Sequence, residues 1–221
     1  MTTLDQLTYN ILNLAKGGRP SDDSLPSLRQ IAFWIKHYRN ILVKQQDDKD
    51  RTLDSVLLQD LGCVPVKLVD AAECCELSVC DRILRTVDKI PVPISLSYNE
   101  ALSYVGSIDL QQPYQKISVT HIPWFQYDKY IFNLAKYYYK GGYIYVANEK
   151  ETDYIKVIGA FEDPEEVAKY NHCGTNGVCY DNSSQFPIAG YMIPIITQMI
   201  VEKELNIVLK TKEDTTNDSQ N

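Results

Sequence analysis

Residues 27–44 (SLRQIAFWIKHYRNILVK) constrain the fold more than any other stretch of the chain. They open with a capping box. The Ser27 hydroxyl can accept from the backbone N–H of Gln30, and Gln30 can reach back to Ser27. Leu28, Ile31, Ala32, Ile35 and Leu42 then recur at helical spacing. Trp34, Tyr38 and Ile41 form a second line beside them. At about 100° per residue, the two lines together cover about half the helix circumference. A surface helix of a small monomer needs less, so this helix has two sides to cover. Either it is a central helix inside one domain, or one face seats in its own core and Trp34, Tyr38 and Ile41 meet another subunit. Arg39 falls within the apolar arc. A buried charge there needs a carboxylate partner or a route to solvent.

The rest of the chain is laid out around this helix. Residues 3–16 form a first helix, capped by Thr3 and Gln6, striped by Leu4, Leu7, Ile11 and Leu14, and ended by Gly17-Gly18. The polar run 45–50 either frays the end of the second helix or extends it as an exposed tail. The pattern then becomes extended, with short strands expected at 65–69, 83–87, 90–94, 104–108 and 116–120. The clearest hairpin signal is Tyr137-Tyr138-Tyr139, a turn through Gly141-Gly142, and Tyr143-Ile144-Tyr145-Val146. A further strand is expected at 154–159, and residues 125–135 fit a short helix or a loop. Asp163 caps a helix with Pro164 in its first position. A long apolar helix is expected from Pro187 or Ile188 to about residue 210. Pro194 kinks it unless the helix starts near Tyr191. Residues from 211 onward are expected to be disordered.

The fold class expected is therefore α+β. An N-terminal helical hairpin and a long C-terminal helix form a helical body, and a β-rich, hairpin-containing insert lies between them. The divisions fall at 1–60 for the N-terminal helical part, 61–160 for the insert, 161–211 for the C-terminal helical part and 212–221 for the tail.

Chemistry finds little purchase in this sequence. The three histidines, His37, His121 and His172, sit in no nucleophile motif, and Gly141-Gly142 lacks the helix and lysine of a phosphate loop. The acids Glu162, Asp163, Glu165 and Glu166 could hold a cation, but acids are ordinary at a helix start. Cys63, Cys74, Cys75, Cys80, Cys173 and Cys179 miss paired zinc spacing, so free thiols in a reducing cytoplasm are expected, with a metal or a functional disulfide as the alternative. No catalytic residue, metal or cofactor is expected. Lysines alternate with tyrosines over 127–140, as a base-stacking platform would require, but a net charge of −7 opposes nucleic-acid wrapping. No signal peptide or apolar run of membrane-spanning length is present. Tyrosine is abundant, at 16 residues. Tyr137, Tyr138, Tyr139, Tyr143 and Tyr145 thus join Trp34, Tyr38 and Ile41 as subunit-interface candidates, since tyrosine suits surfaces buried on assembly. The alternative is that they fill half-buried strand positions.

Several stretches in order carry a resemblance: LDQLTYNI at 4–11, SDD at 21–23 before RQIAFWI at 29–35, QDLGCVP at 59–65, VGSID at 105–109 and GAFEDP at 159–164. Together they resemble a virion structural protein of crAss-like tailed bacteriophages that forms a ring in the head-to-tail connector. The resemblance implies a ring of twelve subunits, docked on the portal protein and the adjacent tail ring, with the genome passing through the lumen. It implies a virion component assembled in the host cytoplasm, without catalysis or membrane contact. Another tail or capsid accessory protein, a host-directed binding module and a small enzyme are the alternatives. A carboxylate-lined lumen would repel DNA phosphates and let the genome slide.

Overall fold

The computed structural model describes residues 2–15, 26–70, 82–118, 134–149, 151–170 and 185–205. Four α-helices occur among them: α1 (Leu4–Ala15), α2 (Leu28–Asp50), α3 (Pro164–Tyr170) and α4 (Met192–Met199). A π-helix over Ile200–Leu205 continues α4. Seven strands form one sheet: β1 (Gln59–Asp70), β2 (Arg82–Thr86), β3 (Leu102–Gly106), β4 (Gln115–Lys116), β5 (Lys136–Lys140), β6 (Tyr143–Ala147) and β7 (Tyr154–Gly159). Their order is β3-β7-β1-β2-β6-β5-β4. The chain divides into two compact units, Met1–Leu57 with Tyr180–Asn221, and Leu58–Cys179.

This overturns the expected fold class. The sheet is the dominant element, and among the described residues no long C-terminal helix builds a helical body. The apolar run that promised such a helix is irregular from Gln185 to Ala189, with Gln185 bridged to Thr3, the Phe186 N–H donating to the Thr2 carbonyl at 3.2 Å and the Ile188 N–H turning back to the Phe186 carbonyl at 2.8 Å. Pro187 and Gly190 delay the helix to Met192, which puts Pro194 in its first turn, where a missing N–H costs nothing. The α-helical ladder then widens to π at Ile200.

In the first unit, α1 starts on a reciprocal cap. The Thr3 N–H donates to Gln6 Oε1 at 3.3 Å and the Gln6 N–H donates to Thr3 Oγ1 at 3.2 Å. Leu4, Leu7 and Ile11 are buried. The Gln30 N–H donates to Ser27 Oγ at 3.3 Å to start α2. The polar run 45–50 remains helical, and Arg51 ends the helix in the left-handed conformation, φ 57°.

In the second unit, β1 hands the sheet from one partner to another. Its first half pairs with β7 and its second half with β2, both antiparallel. A bulge between Asp60 and Cys63 bends it, with Gly62 at φ 72° and its N–H held by Asp60 Oδ1 at 2.8 Å. The two edge strands meet. Gly106 of β3 bridges Pro113, and the Tyr114 N–H donates to the Val105 carbonyl at 2.8 Å, directly before β4. The sheet is thereby a nearly closed barrel, which removes most of its exposed edge. A Cβ on Gly106 would collide with the Gln112 carbonyl and the Tyr104 hydroxyl, so the closure requires glycine there. Leu61, Val64, Val66, Leu84, Val105, Tyr137, Ile144, Val146, Ile155 and Val157 pack in one core with Phe161 and with Val167 of α3. On the opposite face, Val69, Ile117, Tyr138 and Tyr145 make a smaller cluster.

The β5–β6 hairpin forms as the sequence predicts, through Gly141 and Gly142 at φ 62° and 92°, the pair of left-handed residues that a type I′ turn demands. Asp163 caps α3 by accepting from the Glu165 N–H at 3.0 Å. Residues 90–94 make isolated bridges instead of a strand, because Pro91 and Pro93 cannot donate to a ladder. Cys63 is disulfide-bonded, contrary to the expectation of free thiols. Cys74, Cys75, Cys80, Cys173, Cys179, His121, His172, most of 125–135 and the tail from 211 lie outside the described residues.

Candidate assembly surfaces

Both apolar lines of α2 are largely taken up within the chain, except Leu28, which is exposed at the start of the helix. Trp34 is 7% exposed and Tyr38 5%, while Ile31, Ile35, Leu42 and Val43 are buried and Ile41 is half-buried. The cause is that α1 and α4 both pack on α2, so its apolar arc has two covers. Arg39 lies within that arc and is 0% exposed. Its Nε donates to the Pro187 carbonyl at 2.6 Å, Nη1 to Asn40 Oδ1 at 3.2 Å and Nη2 to the Leu57 carbonyl at 3.4 Å. The guanidinium also sits 5.7 Å from the Phe186 ring centroid. Arg39 therefore ties α2 to the segment before α4 and to the 3₁₀ turn Ser55–Leu57. The five N–H donors of arginine can satisfy carbonyls that a helix–loop junction leaves unpaired.

Tyr38 is gripped by two successive residues of the π-helix. Its hydroxyl donates to Glu204 Oε1 at 2.8 Å, and Lys203 Nζ lies 5.8 Å from its ring centroid. Burial, then the hydrogen bond and charge of Glu204, push the Tyr38 phenol up to about 12. At the other end of α2, the Tyr191 hydroxyl lies 2.9 Å from Gln46 Oε1 and 2.8 Å from Asp54 Oδ2, tying the start of α4 to that end.

The hairpin tyrosines alternate between the two faces of the barrel wall. Tyr137 and Tyr139 join the main core, Tyr137 buried and Tyr139 half-buried. Burial pushes the Tyr137 phenol well up. Tyr138 and Tyr145 stack at 5.1 Å in the smaller cluster, with half-buried Tyr143 against it. The Arg85 guanidinium lies 4.5 Å from the Tyr143 ring centroid and Lys89 Nζ lies 5.9 Å from it.

The sequence reading missed Phe33. It is 64% exposed and stacks on His37 at 6.1 Å with the rings 9° apart. Arg29 and Gln30 are exposed one turn before it. At about 100° per residue, Phe33 falls at the centre of the polar arc, opposite the core-facing one. That signal was in the sequence: an aromatic among Arg29, Lys36, His37 and Lys44 and off both apolar lines.

Among the described residues, no three His, Cys, Asp or Glu side chains converge to hold a metal, and no helix is long and apolar enough to cross a membrane. No curated protein matches the chain. The family model described as phage tail ring protein 2 matches residues 6–221. With a match over nearly its whole length, the chain belongs to the phage tail ring protein 2 family of crAss-like phages, and it is a structural ring component of the virion tail.

Proposed function

We propose that twelve copies of this chain close into a ring at the portal–tail connector, contacting the portal protein on one side and the adjacent tail ring on the other, with the genome passing through the lumen. The family match over residues 6–221 carries this reading, since a ring is what the family forms. A closed ring needs heterologous contacts, one patch of each copy meeting a different patch of the next. Of the tyrosine-rich set and the second α2 line, Ile41, Tyr139 and Tyr143 keep part of their surface exposed and are the members able to contribute to such contacts. Trp34, Tyr38, Tyr137, Tyr138 and Tyr145 serve the subunit core.

The net charge of −7 supports a lumen that repels phosphate and lets DNA slide. The particle is assembled in the host cytoplasm before release. Native mass spectrometry of the purified chain, alone and mixed with the portal protein, tests the reading. Twelve copies and a portal–ring complex are expected. A ring of another order removes the stoichiometry, and a ring that ignores the portal removes the connector position. Binding of duplex DNA to the ring at physiological salt would overturn the inert lumen.

A further inference from the structure

Charge is distributed unevenly along this acidic chain. Residues 27–46 hold four Lys or Arg, and all 29 Asp and Glu residues lie elsewhere. Arg39 is buried. The other three, Arg29, Lys36 and Lys44, lie with His37, Asn40 and Phe33 on one face of α2, an arc of about 100°. Arg29, Phe33, His37 and Lys44 are exposed, and Lys36 and Asn40 half-buried. The face is thus a basic stripe along residues 29–44 of α2 that carries Phe33 and is bounded at its C-terminal end by Asp47. The Phe33 ring is 64% exposed and held in place by stacking on His37, so it offers apolar area that a partner can cover. It is suited to an interface: an aromatic anchor surrounded by charges that set partner and register.

We infer that the Phe33-centred basic face of α2 is one half of the contact between neighbouring copies in the ring, and that it seats on an acidic surface of the next copy. Charge complementarity selects that occupant. A ring is made of copies of this chain, and the chain outside residues 27–46 carries every carboxylate. A heterologous contact requires two unlike surfaces on each subunit, which a basic helix face and an acidic remainder supply. Duplex DNA is also anionic, but it would use the cations without burying Phe33. The inference rests on the family's ring assembly and not on its having twelve members.

The test places a photoreactive phenylalanine analogue at position 33 of the full-length protein, lets it assemble into virions and identifies the adduct by mass spectrometry. An adduct joining two copies through an acidic peptide is expected. An adduct to another protein, an adduct to DNA, or no adduct overturns the inference. In parallel, the double variant Arg29→Glu, Lys44→Glu is expected to lower the ring population about tenfold or more with an unchanged melting temperature. Raised salt should weaken wild-type rings in the same direction. Intact rings from the double variant overturn the inference. A ring of other than twelve copies that still crosslinks at position 33 removes the proposed stoichiometry and leaves this contact standing.

Discussion

Arg39 and Trp34 lie five residues apart on the same helix, and both belong to the interior. They hold it by different physics. Trp34 contributes apolar area, and Trp34→Ala should lower the unfolding free energy by about 3–5 kcal/mol in a denaturant titration, as large core truncations do. Arg39 contributes donors. Removing it leaves the Pro187 and Leu57 carbonyls inside the unit without the guanidinium they now share, so Arg39→Met should cost about 2–4 kcal/mol despite filling similar volume. Arg39→Lys should recover only part of this, because an ammonium lacks the fixed planar donors with which Nε and Nη2 reach the two carbonyls. Tyr38 adds a pH signature. Its folded pKa, about 12, lies above the unfolded value of about 10, so the protonated phenol stabilises the fold fully below pH 10. That contribution falls away as pH rises through 12. The stability advantage of wild type over Tyr38→Phe should therefore narrow between pH 10 and 12, which parallel denaturation series of the two proteins would measure. An advantage that widens would mean that Tyr38 ionises more easily in the fold than in the unfolded chain.

At the level of elements, what the sequence disclosed was local. The Thr3–Gln6 cap, the Asp163-Pro164 helix start and the Gly141-Gly142 turn each depend on residues within three or four positions of one another, and each is present. The turn yields a sharp comparison. Gly142 has φ 92° and a Cβ there would lie 3.3 Å from the Lys89 side chain, whereas Gly141 has φ 62° with open space around it. Gly142→Ala should cost about 1–2 kcal/mol from backbone strain, while Gly141→Asn should be nearly neutral, since asparagine tolerates the left-handed region. Thermal unfolding of both variants checks the order. Closure of the sheet was not legible. It rests on Pro113 and Tyr114 meeting Gly106 and Val105, and a proline-containing stretch with no alternation gives no strand signal. The C-terminal helix was misjudged for a related reason. A run of apolar residues shows that a segment is buried but not whether it is helical, and residues 185–189 are irregular.

For the molecule as a whole, the periodicity of α2 gave the width of its apolar arc but not the identity of what covers it. A helix lodged between α1 and α4 and a helix lodged between two subunits carry the same stripe, so Trp34 and Tyr38 could be read either way until α4 was placed. The division of the chain into two units makes a prediction of the same kind, about which residues depend on which. Every member of the main β core lies between Leu61 and Val167, and every member of the smaller cluster lies between Val69 and Tyr145. Among the described residues, no side chain of these two clusters comes from Met1–Leu57 or Tyr180–Asn221. The other unit is different, because it joins α1 and α2 to a segment more than a hundred residues later through Arg39, Tyr38 and Tyr191. A fragment spanning Leu58–Cys179 should therefore fold alone, with a β-type circular dichroism spectrum and a cooperative melt. A fragment ending at Leu57 should not, since it lacks Phe186, Met192 and Ile196, which are buried in the intact chain. A disordered 58–179 fragment would mean that the barrel is stabilised by the helical unit and that the two fold as one.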